Sequence, residues 1–289
     1  MKILIFGGSG QLGYEIIKRA NDLNFEVISP VTSELNISEE KQVRYLAKQV
    51  RPDIIYNCAA YTAVDKAEED SERCFLINRD GARHAALAAK DADARLVHIS
   101  TDYVFSGEGK KPLVEEDKPS PVNVYGKSKL EGENEILNIL PEKSLILRTS
   151  SLYGSKGVNF VKSMMQMFAE KEEVKVVDDQ FMSPTWAGWL AEAILDLSRT
   201  NANGLMHACS KGETNWYDFA ELIYQEGAKH FNFKKNLKLV PIKAADFARP
   251  AKRPSYSVMN CDKLKQALGR EPVTWQDALK LYISEVSGA

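Results

Sequence analysis

Along the first 150 residues, apolar and polar positions switch repeatedly between two periods. Short, β-branched apolar runs at Lys2 to Phe6, Glu26 to Ser29, Ile54 to Asn57, Arg95 to Ser100 and Ser144 to Arg148 predict strands. The longer stretches between them, Gln11 to Leu23, Glu39 to Gln49, Ser71 to Lys90 and Val124 to Ile139, carry a helical repeat. A strand-helix series of this kind, with right-handed crossovers, predicts an α/β fold, a Rossmann-type doubly wound parallel sheet. In that fold ligands bind at the carboxyl ends of the strands.

After about Ser150 the alternation breaks down. Helical patterns at Asn159 to Lys171, Trp186 to Ser198 and Trp216 to Gly227 mix with short extended pieces and with turn-rich text such as Phe247-Ala-Arg-Pro-Ala-Lys-Arg-Pro254. A smaller α+β C-terminal substrate domain is expected. Residues 1–150 are expected to form the Rossmann domain, which in this fold is the dinucleotide-binding one, rejoined by about 172–203, with 151–171 and 204–289 left mainly for the substrate-binding region. No repeat or long polar linker separates the parts, so they are expected to pack as one unit.

Composition narrows the class without naming it. At 289 residues, 44% hydrophobic and 27% charged with a net charge of −2, the chain has no global attraction to nucleic acid or membrane. The start, Met1-Lys-Ile-Leu-Ile-Phe6, lacks the layout of a signal peptide, and no run of eighteen apolar residues occurs, so a soluble cytoplasmic location is expected. Cys58, Cys74, Cys209 and Cys261 have no metal-ligand or CxxC spacing and read as buried thiols in a reducing compartment. Nor do His84, His98, His207 and His230 show ligand spacing, so no metal is expected.

The chemistry begins at Gly7-Gly-Ser-Gly10-Gln-Leu-Gly13, directly after the first strand and opening the first helix. Glycine permits the turn at Gly7, backbone approach to a pyrophosphate at Gly10 and close helix packing at Gly13, while the helix N-terminus offers N–H donors. At the end of the second strand, Ser29-Pro-Val-Thr-Ser33 has neither the acid that grips a ribose nor an arginine for a 2′-phosphate, leaving NADPH or NADH open with a slight lean to NADPH.

Tyr125 and Lys129 share one helical face. A YxxxK pair arises readily by chance in a chain with 11 tyrosines, so its context decides: it follows a strand ending in Ser100-Thr101-Asp102. An ammonium beside a phenol favours phenolate and draws a group of pKa near 10 toward neutral pH. Thr101 can bond a substrate oxygen on which charge develops.

The glycine turn, Asn57-Cys-Ala-Ala-Tyr-Thr-Ala-Val-Asp-Lys66, Ser100-Thr-Asp-Tyr-Val-Phe105, the YxxxK pair and Arg148-Thr-Ser150 together resemble an extended short-chain dehydrogenase/reductase. The likeness continues through Asn159-Phe160, Asp179-Gln180, Pro184-Thr185, Thr214-Asn-Trp-Tyr-Asp-Phe219 and Lys252-Arg-Pro-Ser-Tyr-Ser257. It implies hydride transfer from NAD(P)H to the C4 ketone of a nucleotide-linked sugar, dTDP-6-deoxy-L-lyxo-4-hexulose, with Tyr125 donating the proton. It further implies that Gly10, Gln11 and Leu12 meet the cofactor pyrophosphate, that Ala60, Tyr61 and Thr62 line the nicotinamide half, and that Asn36 and Ile37 lie near adenine. Thr101 and Asp102 would position the sugar and Arg253 would hold the nucleotide pyrophosphate, as guanidinium does bidentately. Where the family commonly has a substrate-contacting tryptophan, this chain has Ser151. The remaining tryptophans, Trp186, Trp189, Trp216 and Trp275, read as core. A reductase or epimerase of another nucleotide 4-keto sugar, and a non-catalytic NADP-binding regulatory subunit, stay open as alternatives. So does the choice between monomer and homodimer.

Overall fold

The computed structural model describes residues 1–288. Its first half runs β1 (Lys2–Phe6), α1 (Gln11–Asp22), β2 (Glu26–Ile28), α2 (Glu40–Val50), β3 (Ile54–Asn57), α3 (Val64–Ala67), α4 (Ser71–Phe75), α5 (Gly81–Asp91), β4 (Arg95–Thr101), α6 (Val124–Ile139) and β5 (Ser144–Thr149). There follow β6 (Leu152–Tyr153), α7 (Phe160–Glu170), β7 (Glu173–Val177), β8 (Phe181–Met182), β9 (Thr185–Trp186), α8 (Ala187–Leu197) and β10 (Gly204–His207). The chain closes with β11 (Thr214–Asn215), α9 (Trp216–Gly227), β12 (Lys238–Ile242), α10 (Asp262–Leu268) and α11 (Trp275–Ser287).

Six strands form one parallel sheet in the order β10-β5-β4-β3-β1-β2. Successive side chains of a strand face opposite sides, and both sides here are apolar. Ile3, Ile5, Tyr56, Val97 and Leu147 face α1 and α8, while Leu4, Phe6, Ile55, Leu96 and Ile146 face α2, α5 and α6. The first of these cores runs on without a break into Met164 and Phe168 of α7, Phe219 of α9, and Leu279 and Tyr282 of α11. That shared core is what holds the C-terminal region against the sheet.

Two departures from the sequence reading bear on the site. The stretch read as one helix, Ser71 to Lys90, contains a π-helical turn at Leu76–Asp80 between α4 and α5. The extra residue in that turn carries Asn78 inward, to 1% exposure. In addition β10, inside the 204–289 stretch assigned from sequence to the substrate-binding region, pairs with β5 and adds the sixth strand. Four residues are too few to show a period, so only its pairing identifies it. Trp186, Trp189 and Trp275 lie in the core. Among the described residues no helix is long and apolar enough to cross a membrane.

Candidate active site

The carboxyl ends of β1, β3, β4 and β5 point to one edge of the sheet, because all four strands are parallel. At the first of them Gly7 turns with φ +80°, and an added Cβ would sit 2.5 Å from the Ala59 nitrogen. Gly13 packs so closely that its Cβ would stand 2.3 Å from the Gly7 carbonyl oxygen. Gly10, the N-cap of α1, has no side-chain cap, and a Cβ there would meet nothing nearer than the Gly7 oxygen at 3.3 Å. Its exposed outer side and the uncapped N–H groups of α1 suit the oxygens of a pyrophosphate. Gln11 and Leu12 open the helix, and Leu12 turns into the core.

Beyond β3, the loop carrying Ala60, Tyr61 and Thr62 is braced by the residue that the π turn buries. Asn78 accepts a hydrogen bond from Tyr61 N (2.8 Å) and donates to Tyr61 O (3.1 Å) and Ser128 Oγ (2.9 Å). On the far side, beyond β2, Asn36 is exposed and its side-chain oxygen accepts from Ser38 N and Ser38 Oγ. Ile37 instead packs in the core beside Gly81, so its side chain faces away from solvent. The Ser29 hydroxyl donates to Ile5 O (3.2 Å).

Thr101 ends β4, and α6 brings Tyr125, Lys129 and Glu133 along one face at four-residue intervals. Asn123 starts that helix: its side-chain oxygen accepts from Gly126 N (2.7 Å), and its amide donates to Lys252 O (2.8 Å). Gly126 is needed for the approach, since a Cβ would lie 2.1 Å from Tyr103 O. Burial pushes the Tyr125 phenol above its ordinary range, the Thr101 hydroxyl beside it pulls back, and Asp102 and Tyr103 add to the rise. Its ring meets Tyr103 edge-on at 5.7 Å.

Lys129 is 2% exposed, and burial brings its pKa down to about 8 against an opposing pull from Glu133. Its Nζ donates to Ile99 O (2.7 Å) and lies 3.2 Å from His98 Nε2. The ammonium was expected to lower the tyrosine. In this geometry its head group is turned to Ile99 and His98 and the tyrosine stands high. Glu133 is held by Arg148 of β5 at 2.6 and 2.9 Å and by the Ser100 hydroxyl at 2.5 Å, all inside the protein.

Asp102, expected to position a sugar, is 2% exposed and accepts from Thr101 Oγ1 (3.0 Å) and Ser150 Oγ (2.9 Å). Burial raises its pKa, with the hydroxyls of Ser257, Ser150 and Thr101 opposing. It therefore anchors Thr101 rather than offering a free carboxylate. Ser151 sits at φ +46°, in the left-handed region, partly exposed beside that cluster.

Arg253 donates to Asp65 (2.9 Å), while its buried Nε has no partner among the described residues. It lines a cleft of about 1200 Å³ together with Phe160, Trp216, Phe247, Arg249 and Lys252. Tyr125, Thr101 and Lys129 do not line this cleft. Arg253 is the link, since its charge acts on Tyr103, against which Tyr125 packs. Trp216, read as core, packs on Phe160 at 4.5 Å and forms part of the wall. Sequence reasoning gave His98, Asn57, Glu133 and Asn78 no part in the site. The four-residue spacing of Tyr125, Lys129 and Glu133 was the one available signal.

The family model described as RmlD substrate binding domain matches residues 1–287. The chain is 37% identical to the Bacillus subtilis (strain 168) spore coat polysaccharide biosynthesis protein SpsK, covering 100% of this chain and 99% of that one. It is likewise 37% identical to the Streptomyces niveus dTDP-4-keto-6-deoxy-D-glucose reductase (96% and 94%) and to the Escherichia coli (strain K12) dTDP-4-dehydrorhamnose reductase (99% and 98%). Among solved structures, a Clostridium acetobutylicum dTDP-4-dehydrorhamnose reductase superposes with a TM-score of 0.93 at 40% identity, covering 99% of both chains. A Bacillus anthracis dTDP-4-dehydrorhamnose reductase in complex with NADP does so with 0.93 at 35%, covering 98% and 99%.

Proposed function

This chain belongs to the RmlD substrate-binding-domain family, the dTDP-4-dehydrorhamnose reductases of the extended short-chain dehydrogenase/reductase superfamily, and from that membership we propose that it reduces the C4 ketone of dTDP-6-deoxy-L-lyxo-4-hexulose to give dTDP-L-rhamnose. NAD(P)H, when bound, supplies the hydride. The observation that carries the reading is Tyr125 beside the Thr101 hydroxyl, with Lys129 one turn on along α6, at the sheet edge that also carries the glycine turn, and a cleft of cationic and aromatic residues that includes Arg253.

Each residue then has a task. Gly10, Gln11 and Leu12 hold the cofactor pyrophosphate on backbone N–H groups, while Gly7 makes the turn and Gly13 lets the helix pack against it. Ala60, Tyr61 and Thr62 border its nicotinamide half, and Asn36, with the backbone of Ile37, its adenine half. Tyr125 passes its phenolic proton to the C4 oxygen as negative charge develops there, and the Thr101 hydroxyl stabilises the same oxygen. A high phenol pKa keeps Tyr125 protonated and able to donate at neutral pH. Lys129 offers N–H donors to the nicotinamide ribose and, when charged, eases proton loss from Tyr125. Arg253, on the cleft wall, binds the sugar nucleotide's pyrophosphate, and Phe160 and Trp216 give thymine a stacking surface.

The test follows NADPH and then NADH absorbance with substrate made in place from dTDP-glucose by a dehydratase and an epimerase. Turnover by the wild type, lost in Tyr125→Phe, is the expected result. No turnover from protein that binds the cofactor would overturn the reading.

Ser151 favours a second reading, reduction of the unepimerised dTDP-4-keto-6-deoxy-D-glucose, since the wide apolar surface of a tryptophan is missing where the sugar would lie. The Streptomyces relative of that name is as similar as the Escherichia one. Omitting the epimerase separates the two, because only this second activity survives the omission.

A further inference from the structure

Behind Lys129 lies a short chain of hydrogen bonds whose polarity can be read from its far end. Asn57 is 1% exposed, and its side-chain oxygen accepts from Ala59 N at 3.2 Å. That bond orients the amide, so the NH2 group is the part that faces His98 Nδ1 at 3.0 Å. An amide nitrogen can only donate. His98 Nδ1 is therefore the bare, accepting nitrogen, and a neutral imidazole carries its proton on Nε2. His98 is 1% exposed, and burial holds it neutral, far below the usual histidine range.

The Nε2–H bond points at Lys129 Nζ, 3.2 Å away. An ammonium has three donors and no acceptor, so a charged Lys129 would set one donor against another inside the protein. A neutral amine resolves the conflict, because its lone pair accepts from His98 while its N–H donates to Ile99 O at 2.7 Å. No other neighbour overrides this. Glu133 on the same helix is held by Arg148 of β5 and Ser100 of β4, and burial raises the Cys58 thiol to about 12 and the Cys74 thiol of α4 as well, keeping both uncharged. Tyr125, one turn before Lys129, stays a neutral phenol.

We infer that Asn57 and His98 are positioning residues for the reductase reaction: by fixing the histidine tautomer they shift Lys129 toward the neutral amine in the free protein. Turning from His98 toward an acceptor then favours the charged form. The inference takes Lys129 as a working residue from the proposed function, but its own evidence is the bonding of Asn57, His98 and Ile99. Burial moves the Lys129 pKa in the same direction, down to about 8.

The test is NMR on the cofactor-free protein, without sugar or turnover. The ring nitrogens of His98 are expected to show Nε2 protonated and Nδ1 bare, and Lys129, followed through its ε-carbon, to titrate well below the ordinary lysine value of about 10.4. Asn57→Asp places a carboxylate against Nδ1, draws the proton there and leaves Nε2 to accept from an ammonium. The Lys129 midpoint is then expected to rise by about one pH unit or more. If Asn57→Asp fails to fold, His98→Gln serves instead, since its amide can turn an oxygen to Nζ and raise the midpoint in the same direction. A protonated Nδ1 in the wild type, an ordinary Lys129 midpoint, or no rise in the folded variant would overturn the inference. Failure of the proposed reaction would show in the turnover assay and leave these spectra unchanged.

Discussion

At Tyr125 the phenol packs beside Thr101, Tyr103 and Asp102, and its hydroxyl proton is the one the proposed reaction would use. Tyr125→Phe keeps the ring packing and removes that proton. Its kcat/KM is expected to fall by about 10²- to 10⁴-fold with an unchanged melting temperature, as rates and thermal unfolding would show. Lys129 gives a pH signature of another kind. Its folded pKa, about 8, lies below the 10.5 of a free lysine, so between those pH values the unfolded chain binds more protons. The burial penalty is therefore felt in full below pH 8 and fades as pH rises toward 10.5. Urea unfolding at pH 7 and pH 10 is expected to show wild type gaining stability relative to Lys129→Met as pH increases. Tyr125, Lys129 and Thr101 could be singled out as candidates because the chemistry proposed for them follows from type and spacing. His98 was not, because a lone histidine in an apolar run reads as core until its two neighbours are placed.

The helix α6 is the element on which the site depends, and it is pinned at both ends of its working face. Its N-terminus is capped by Asn123, whose amide also ties down the Lys252 carbonyl. Asn123→Ala is expected to cost about 1 kcal/mol of stability through the lost cap. It should also raise the KM for the sugar nucleotide more than the Kd of the cofactor, because the released loop carries Arg253. Two turns on, the buried Glu133–Arg148 pair binds the helix to β5. Arg148→Met alone leaves a buried carboxylate and is expected to lose about 3–5 kcal/mol in urea titrations. The double variant Glu133→Leu/Arg148→Met is expected to lose less, since no charge is stranded. The bounds of α6 were plain from its hydrophobic period. The π turn before α5 was not, since one inserted residue hardly disturbs a helical pattern while it turns Asn78 into the site.

Across the whole molecule, the glycine turn and the cleft behind Arg253 lie on different parts of one continuous core. dTDP and NADP are each expected to raise the melting temperature alone, and ligand at a hundred times its Kd adds about 2.7 kcal/mol. Arg253→Gln is expected to abolish the dTDP shift and to raise the substrate KM about ten- to hundredfold, the worth of a charge-assisted hydrogen bond. The NADP shift is expected to stay. The cleft's cations stand in a chain of net charge −2, so bulk charge gave no hint of them. By itself the sequence determined the parallel sheet, the turn after β1 and the tyrosine–lysine pair, because period, glycine conformation and i,i+4 spacing are local properties of a chain. Only the tertiary structure decided that β10 completes the sheet, that Trp216 faces a cleft, that Asp102 is sealed beneath Thr101, and that Asn57, His98 and Lys129 form one line of hydrogen bonds. Those facts depend on which distant residues meet and on what burial does to their charges, and neither is written in the spacing of neighbours.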